Sequence, residues 1–304
     1  MIGWKDIEIE DKDIIDKYYK VYKSELSDYN FTQLLLWQDA YKINYAEIEG
    51  YLVVQLQAPN ETVPYVHMPV GYGDLSRVID LLLDDYNERG EILTFRSITR
   101  QQYLQLKNHS NIPLKFKLLR DQYEYVYPSH DLSKLDTKKL KRKKDMYYSF
   151  LDKHNISVSI LDNNDVSQLI VMMERWYKGM SKESVFSAER AGIERVLNNW
   201  DRLDTQGCIV TIDNRPVAFS FGEAITENMF LVLIEKAFRD YKGAYVAVIK
   251  EFATMYEDKY KFSNREEDLG IPGLRKAKLL FRPCRLIEKG VAYFTNDDNN
   301  TREG

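Results

Sequence analysis

The chain has 304 residues, 44% of them hydrophobic, which is enough apolar material for one large core or two ordinary ones. Its 43 basic and 47 acidic side chains nearly cancel, which excludes a global field that attracts nucleic acid or membrane, so any such partner needs a local patch. The 2 cysteines and 4 histidines show no CxxC or HxxxH spacing, so we expect a reducing compartment and no metal site.

The N-terminal sequence, MIGWKDIEIEDKD, is acidic where a secretory signal is basic and then apolar. No apolar run approaches the ~20 residues that a membrane-spanning helix needs. We therefore expect a soluble, cytoplasmic protein without a transmembrane segment.

The first half of the chain predicts a hairpin, a strand, a helix and another strand. INYAEIEGYLVVQL (43–56) predicts two short strands joined near Glu49-Gly50, and TVPYVHMPV (62–70) predicts a third. GDLSRVIDLLLDDYNERG (73–90) has apolar residues at helical spacing and ends at a glycine, and EILTFRSIT (91–99) predicts a further strand.

The second half repeats this order. GCIVTIDNRPVAFSFGEAI (207–225) predicts a hairpin that turns at Asp213-Asn214, and NMFLVLIEKA (228–237) predicts a strand covered on both faces. A helix is expected after Gly243, followed by the strand YKFSN (260–264). The doubled order predicts an α/β (α+β) fold of two related units, each a mixed sheet flanked by helices.

We place the N-terminal domain at 1–130 and the C-terminal domain at 131–304. The second domain is expected to start with the basic helix of KLDTKKLKRKKD (134–145) and to end in the NREEDLG stretch and a polar tail. Aromatic residues near this junction are typical of packing rather than of a ligand site.

Charged residues follow the two predicted strands of the second unit. Glu235 and Lys236 close the apolar strand 229–234, and the strand 260–263 is followed by Asn264, Arg265, Glu266 and Glu267. If these strands are parallel neighbours, their carboxyl ends meet at one crevice. Taken singly, such residues are typical of solvated surface pairs; taken together within one strand-helix-strand unit, they favour a functional site.

The turn before the second helix offers a different group, the free amides of a helix N-terminus. Gly243 and Ala244 stand there, and such amides can accept an anionic group such as a phosphate. The alternative is that the glycine only eases the backbone into the helix.

Two further stretches carry concentrated charge. In NREEDLGIPGLRKAKLLFRP (264–283), we expect Gly270 and Gly273 to fold the chain back so that Arg275, Lys276 and Lys278 reach the crevice, the alternative being a solvated loop. The run KKLKRKK (138–144) predicts a polyanion-binding element, the alternative being a solvated helix face. Its cations are Lys138, Lys139, Lys141, Arg142, Lys143 and Lys144.

EKAFRDYKGAY (235–245) followed by NREEDLGIPGLRKAKLLFRP resembles the phosphatidylglycerol lysyltransferase C-terminal domain family. FTQLLLWQDAY (31–41) and the basic stretch 135–150 resemble further blocks of that family in the same order, so the resemblance covers nearly the whole chain and is most specific in its last 60 or so residues. It implies a bacterial protein with two tandem GNAT-like (acyl-CoA N-acyltransferase-like) domains, similar to the Fem-type aminoacyltransferases.

The family's best-known members move a lysyl or alanyl group from aminoacyl-tRNA to a membrane lipid, which the resemblance implies here as an aminoacyltransferase activity. The sequence departs from the GNAT phosphate loop, since Asp240 leads the turn DYKGAY and Tyr245 closes it, which disfavours a donor held by its pyrophosphate. The transmembrane domain of the family's lipid synthases has no counterpart in this sequence.

We therefore predict an acyltransferase that moves an aminoacyl group from aminoacyl-tRNA to an amine or hydroxyl of a lipid-like or small-molecule acceptor, with no cofactor. Two alternatives stay open: an N-acyltransferase that uses acyl-coenzyme A as donor, and a non-catalytic module that binds a small anion. Glu235 is the predicted base. The predicted donor-binding residues are Lys236, Tyr241, Gly243, Ala244, Asn264, Arg265, Arg275, Lys276 and Lys278.

Overall fold

The structure, a computed structural model, describes residues 1–110, 112–178 and 184–295. The last residues of the predicted polar tail, 296–304, lie outside this description. Two mixed sheets flanked by helices confirm the predicted fold class.

The strands are, in chain order, β1 (Lys5–Asp6), β2 (Asn44–Ile48), β3 (Tyr51–Leu56), β4 (Tyr65–Val66), β5 (Val70–Gly71), β6 (Thr94–Ile98), β7 (Leu114–Leu118), β8 (Glu124–Pro128), β9 (Ile156–Ile160), β10 (Gln206–Ile212), β11 (Arg215–Ala224), β12 (Met229–Ala237), β13 (Phe262–Asn264), β14 (Arg285–Ile287) and β15 (Gly290–Phe294). The helices are α1 (Lys12–Tyr22), α2 (Phe31–Tyr41), α3 (Leu75–Glu88), α4 (Arg100–His109), α5 (Ser129–Lys134), α6 (Lys141–Lys153), α7 (Val166–Tyr177), α8 (Ser184–Asn198), α9 (Ala244–Tyr256) and α10 (Pro272–Leu279).

Each sheet contains the predicted series of hairpin, strand, helix and strand. The N-terminal sheet has the order β1-β2-β3-β4-β6-β15-β7, with β5 paired to β3, and β4 runs parallel to β6. The C-terminal sheet has the order β14-β8-β13-β12-β11-β10-β9, and β12 runs parallel to β13. The condition for a shared crevice, parallel neighbouring strands, is therefore met in the second unit.

Local residue chemistry explains several of these elements. Asp213 and Asn214 both have positive φ, as a two-residue hairpin turn between right-twisted strands requires. The Asp74 side chain accepts hydrogen bonds from the first amides of α3 and fixes its start. The predicted strand 62–70 is instead two short strands, because Pro69 has no N–H to continue the ladder.

The basic segment also differs from its prediction. The helix expected from residue 134 begins at Lys141, after α5 has ended at Lys134 and a short 3-10 turn has passed over Lys138–Leu140. The cations of 138–144 therefore lie on a turn and the first residues of α6.

The two sheets exchange strands. β15, near the C-terminus, lies between β6 and β7 in the N-terminal sheet, and β8, from the first half, lies between β13 and β14 in the C-terminal sheet. The boundary at residues 130 and 131 stays a prediction, but the hydrogen-bonded sheets do not follow it.

Two hydrophobic cores hold the layers. One fills the N-terminal unit and extends to the facing side of the C-terminal sheet, where it includes Phe219, Phe221 and Leu231. The other lies between the opposite side of that sheet and the helices α5, α6 and α9. Side chains of the C-terminal sheet thus face either the first unit together with α7 and α8, or the layer of α5, α6 and α9.

Candidate functional site

The parallel strands β12 and β13 pair only from Met229–Phe262 to Leu231–Asn264 and then separate. An ion pair spans the resulting gap: Arg265 Nε donates to Glu235 Oε1 at 3.1 Å, and Nη2 donates to Oε2 at 2.5 Å. The two side chains are 7% and 18% exposed. Such a two-point contact fixes both groups at the carboxyl ends of the strands.

Arg265 keeps one unused donor. Its Nη1 is buried and has no hydrogen-bond partner among the described residues, although the guanidinium carbon lies 5.2 Å from the centre of the Tyr127 ring and 5.0 Å from that of Phe281. A buried donor without a partner costs free energy, which a bound oxygen atom can recover.

The basic run 138–144 adjoins this ion pair through one aromatic ring. Lys143 Nζ lies 4.3 Å from the centre of the Phe281 ring, whose other neighbour is Arg265. Burial, with Arg265 and Arg142 nearby, lowers the pKa of Lys143. Within the described ranges, no cation of the run forms an ion pair, and four of them are exposed: Lys138, Lys139, Lys141 and Arg142.

Two further ionisable groups, those of Lys278 and Glu266, lie beside Arg265. Lys278 Nζ donates to the backbone carbonyls of Arg265 and Glu266, and burial together with Arg265 lowers the pKa of this lysine. Burial and the neighbouring Glu267 raise the pKa of Glu266 well above its ordinary value, and its Oε1 has no partner in the part of the chain that is described. Shifted groups of this kind are typical of functional sites.

The glycines of the 264–283 stretch have different roles. Gly270 has φ +72°, and a Cβ there would approach Asp121 Oδ2 to 2.8 Å, so the turn requires glycine. Gly273 lies within α10 without positive φ, which corrects its predicted role in the turn.

Only part of the stretch's positive charge reaches the crevice. Arg275 Nε donates to Asp268 Oδ2 at 2.8 Å, and its Nη2 donates to Asp121 Oδ1 at 2.6 Å. Burial alone would raise the pKa of Asp268, but hydrogen bonds from Arg275 and Tyr125 lower it to about 2. Lys276 is exposed, so Lys278 alone of the three predicted cations adjoins the Glu235–Arg265 pair.

Side-chain alternation corrects two other placements. Lys236 points away from Glu235 and donates to Glu189 at 2.7 Å, with Trp176 and Tyr177 beside it. Asn264 points away from Arg265; its Nδ2 donates to Glu124 Oε2 at 2.5 Å. Successive residues of a strand face opposite sides of the sheet, so neither joins the pair.

The start of α9 is covered by α6. Gly243 has φ +109°, and a Cβ there would lie 2.7 Å from that of Phe150 and 3.0 Å from the Met146 carbonyl oxygen. The amide of Ala244 donates to the carbonyl of Tyr241 at 3.0 Å, and the Tyr241 ring packs on His154. The predicted anion site thus has no free amide at Ala244, because the turn uses it.

A buried cluster of charged residues that the sequence analysis missed lies on the face of the C-terminal sheet that is turned toward the first unit. Lys289, 1% exposed, donates to Asp28 Oδ2 and to Glu124 Oε1, each at 2.7 Å. Burial alone would lower the pKa of Lys289, but these two carboxylates raise it well above its ordinary value. Ser27 and Asn264 complete the hydrogen bonds of Glu124. No local sequence signal joins these residues, which come from distant parts of the chain.

Nearby, Glu223 accepts hydrogen bonds from the side chains of Asn30 and, at 2.8 Å, Thr32, just before and within α2. It is buried and forms no ion pair within the described residues, and this burial raises its pKa to about 7. The FTQLLLWQDAY block also binds α8: Arg195 donates to the Leu35 carbonyl at 3.0 Å. This block therefore joins the two units.

In the described ranges, no group of His, Cys, Asp and Glu side chains is arranged to hold a metal ion. No helix there combines the length and apolar character that crossing a bilayer requires.

Comparisons with known proteins bear on the fold and the family. A family model described as "Phosphatidylglycerol lysyltransferase, C-terminal" matches residues 19–293. No curated protein sequence matches the chain significantly.

Three solved structures are similar along most of the chain. A protein of unknown function from Bacteroides thetaiotaomicron VPI-5482 has 29% identity and a TM-score of 0.89, covering 97% of this chain and 100% of that one. L-PGS from Bacillus licheniformis has 16% identity and a TM-score of 0.63, covering 87% of each chain. FemX has 11% identity and a TM-score of 0.55, covering 97% of this chain and 98% of that one. The chain thus shares its fold of two mixed α/β units with L-PGS and FemX.

Proposed function

This chain belongs to the phosphatidylglycerol lysyltransferase C-terminal family, and from that premise we propose that it transfers an aminoacyl group from aminoacyl-tRNA to an amine or hydroxyl acceptor. The proposal rests chiefly on the basic run 138–144, which adjoins the Glu235–Arg265 pair through Phe281 and has no carboxylate partner among the described residues. This row of cations lies beside a buried ion pair that retains an unused hydrogen-bond donor. The arrangement suits an acyl donor that is a polyanion with a small reactive end.

The start of α9 supports tRNA over coenzyme A as donor. A pyrophosphate needs several free consecutive amides at a helix start. Here α6 packs against Gly243, and the Ala244 amide is already bonded. A coenzyme A donor would therefore gain little binding from its diphosphate. The tRNA donor is held instead along the basic run.

The chemistry requires few groups. The acceptor's nitrogen or oxygen attacks the ester carbonyl of the aminoacyl-tRNA, the new bond to carbon forms, and the bond to the ribose oxygen breaks. The acceptor's proton passes to the Glu235 carboxylate, and Glu235 then gives this proton to the departing ribose oxygen, which restores the carboxylate. Arg265 Nη1 donates to the carbonyl oxygen as negative charge develops there.

An aminoacyl-transfer assay tests this proposal. The protein is incubated with a panel of radiolabelled aminoacyl-tRNAs and either phosphatidylglycerol vesicles or small water-soluble amines, and label in the product is counted. We expect acceptor-dependent transfer, and no turnover of acetyl-coenzyme A. Turnover of acetyl-coenzyme A but of no aminoacyl-tRNA would identify acyl-coenzyme A as the donor instead. Failure of all donors, with unchanged anion binding by Glu235→Gln, would favour a non-catalytic module.

Two matched variants test the basic run. In the first, Lys138, Lys139, Lys141 and Arg142 are replaced by Gln; in the control, four exposed lysines from other surfaces are replaced: Lys5, Lys107, Lys115 and Lys117. Both remove the same charge. We expect only the first variant to weaken tRNA binding, and its log–log salt slope to fall by about three, since each lost phosphate contact removes roughly 0.7–0.9. Equal effects of the two variants would contradict a local site.

A further inference from the structure

Helix α10 presents apolar side chains to solvent. No residue of this helix is buried, and five aliphatic side chains in and beside it are between 36% and 52% exposed. They are Leu269, Ile271, Leu274, Leu279 and Leu280. A surface helix normally turns such residues toward the core, so their concentration within one short segment indicates a partner that covers them.

Polar contacts hold α10 on the protein. Arg275 is bonded to Asp268 and Asp121, Lys278 donates to two backbone carbonyls, and Tyr127 Oη donates to the Lys278 carbonyl at 2.8 Å. The side-chain hydrogen bonds of α10 thus face the protein, and its aliphatic residues are left partly exposed to solvent beside Lys276. An ordinary amphipathic surface helix buries its aliphatic residues instead.

Cations surround the apolar face. An open groove of about 370 Å³ runs along α10, where Leu279 and Leu280 meet Lys276 and Arg282. The buried Phe281, between Leu280 and Arg282 in sequence, contacts Lys143 of the basic run 138–144. Lys276 and Arg282 form no ion pair among the described residues. Exposed aliphatic side chains beside such cations match the two layers of an anionic bilayer surface, its acyl boundary and its phosphates.

We propose that α10 and its flanking residues dock the protein on an anionic lipid bilayer. Leu279, Leu280 and Ile271 enter the boundary between headgroups and acyl chains, and Lys276 and Arg282 contact lipid phosphates. This docking rests on the proposed function, since it brings a lipid acceptor to the Glu235–Arg265 pair. It names the acceptor's location, the surface of an anionic membrane.

Two other occupants fit the surface less well. A nucleic acid is bound by cations and stacking aromatic rings, whereas these exposed side chains are aliphatic. A second copy of the chain would bring Lys276, Arg282 and the basic run against themselves, and like charges in an apolar contact oppose association.

Vesicle cosedimentation without tRNA tests the docking. We expect the protein to bind vesicles that contain phosphatidylglycerol and to bind pure phosphatidylcholine vesicles weakly. The variant Ile271→Ser/Leu279→Ser/Leu280→Ser is expected to lose affinity by about tenfold or more, because binding follows the apolar area buried. Lys276→Gln/Arg282→Gln is expected to lose affinity several-fold, and more at low salt than at high salt.

A matched control replaces exposed aliphatic residues elsewhere, as Ile92→Ser/Leu104→Ser/Val171→Ser, and is expected to bind like the parent. Vesicle binding equal to the parent's in both α10 variants would overturn the proposal. So would equal binding of the parent protein to vesicles with and without phosphatidylglycerol. Loss of a dimer or of tRNA affinity in the serine variant, without loss of vesicle binding, would assign the face to those partners. Vesicle binding needs no turnover, so its failure is separate from failure of transfer to a water-soluble acceptor.

Discussion

Two ion clusters lie on opposite faces of the C-terminal sheet, and consecutive residues supply them. Asn264 joins the closed cluster of Lys289, Asp28 and Glu124, whereas Arg265 joins the open pair with Glu235. In the closed cluster the Lys289 ammonium donates to Asp28 and Glu124, lies 3.7 Å from a third carboxylate, that of Glu267, and is hidden from solvent. In the open pair Arg265 retains an unused donor. The difference indicates two roles for neighbouring residues of one strand end. Asn264 helps to stabilise the contact between the units on one face, and Arg265 keeps a hydrogen-bond donor for a ligand on the other.

Breaking the closed cluster should have the largest effect. Lys289→Ala leaves the buried Glu124 and the partly buried Asp28 without their lysine partner, and breaking a buried ion pair in this way typically costs about 3–5 kcal/mol. Chemical denaturation should show that loss in the free energy of unfolding. The exposed Lys276→Ala is the control, with a change within about 0.5 kcal/mol. Similar values for the two variants would mean that the cluster does not stabilise the fold.

Glu223 sharpens the comparison, since it is a buried carboxyl on the same inter-unit side and pairs with no cation in the part of the chain that the structure describes. Its folded pKa of about 7 exceeds its ordinary value of 4.5, so the folded protein holds a proton that the unfolded chain releases. The free energy of unfolding should therefore fall as pH rises from 4.5 to 7, by at most about 3 kcal/mol from this group, and level off above.

Glu223→Gln has no proton to lose, so denaturation from pH 4 to 8 should give a flatter profile than the parent. Glu47→Gln, at an exposed carboxyl, serves as the control. A variant whose profile parallels the parent's would show that Glu223 does not carry this dependence.

The open pair should affect catalysis more than stability. A double-mutant cycle with Glu235→Gln and Arg265→Gln is expected to give a coupling energy of about 1.5–3 kcal/mol in unfolding. Glu235→Gln should lower kcat for aminoacyl transfer about 10²–10⁴-fold, as the loss of a general base does. Arg265→Lys keeps the charge without the two-point contact and should restore little activity. Normal kcat in Glu235→Gln would remove its role as base.

The smallest expected effect is on stability at the basic run. Replacing Lys138, Lys139, Lys141 and Arg142 by Gln should change the free energy of unfolding by no more than about 0.5 kcal/mol, because these exposed cations have no ion-pair partner among the described residues. Thermal denaturation at low salt measures this. A loss as large as that of Lys289→Ala would show the run to be structural.

Local signals sufficed for much of the fold. The Asp213-Asn214 turn, the apolar strand β12 and the helix after Gly243 each follow from residue chemistry within a few positions, and the structure confirms them. The shared crevice was predicted on the condition that β12 and β13 are parallel neighbours, and the structure meets that condition and brings Glu235 and Arg265 into contact.

The rest depended on partners that are distant in sequence. β15 pairs with β6 and β7, and Lys289 meets Asp28 and Glu124, contacts that no local pattern encodes. Alternation along the strands separates Lys236 from Glu235 and Asn264 from Arg265, and applying it to the sequence would have divided the predicted crevice correctly.

The exchange of β8 and β15 between the sheets also bears on the order in which the molecule can fold during synthesis. The N-terminal sheet has a gap between β6 and β7 until residues 290–294 have been translated. The first half therefore emerges with unpaired edges on both of those strands, which favours aggregation or chaperone binding. Because that pairing spans most of the chain, closing it is a late step, and the two units should gain their full stability together.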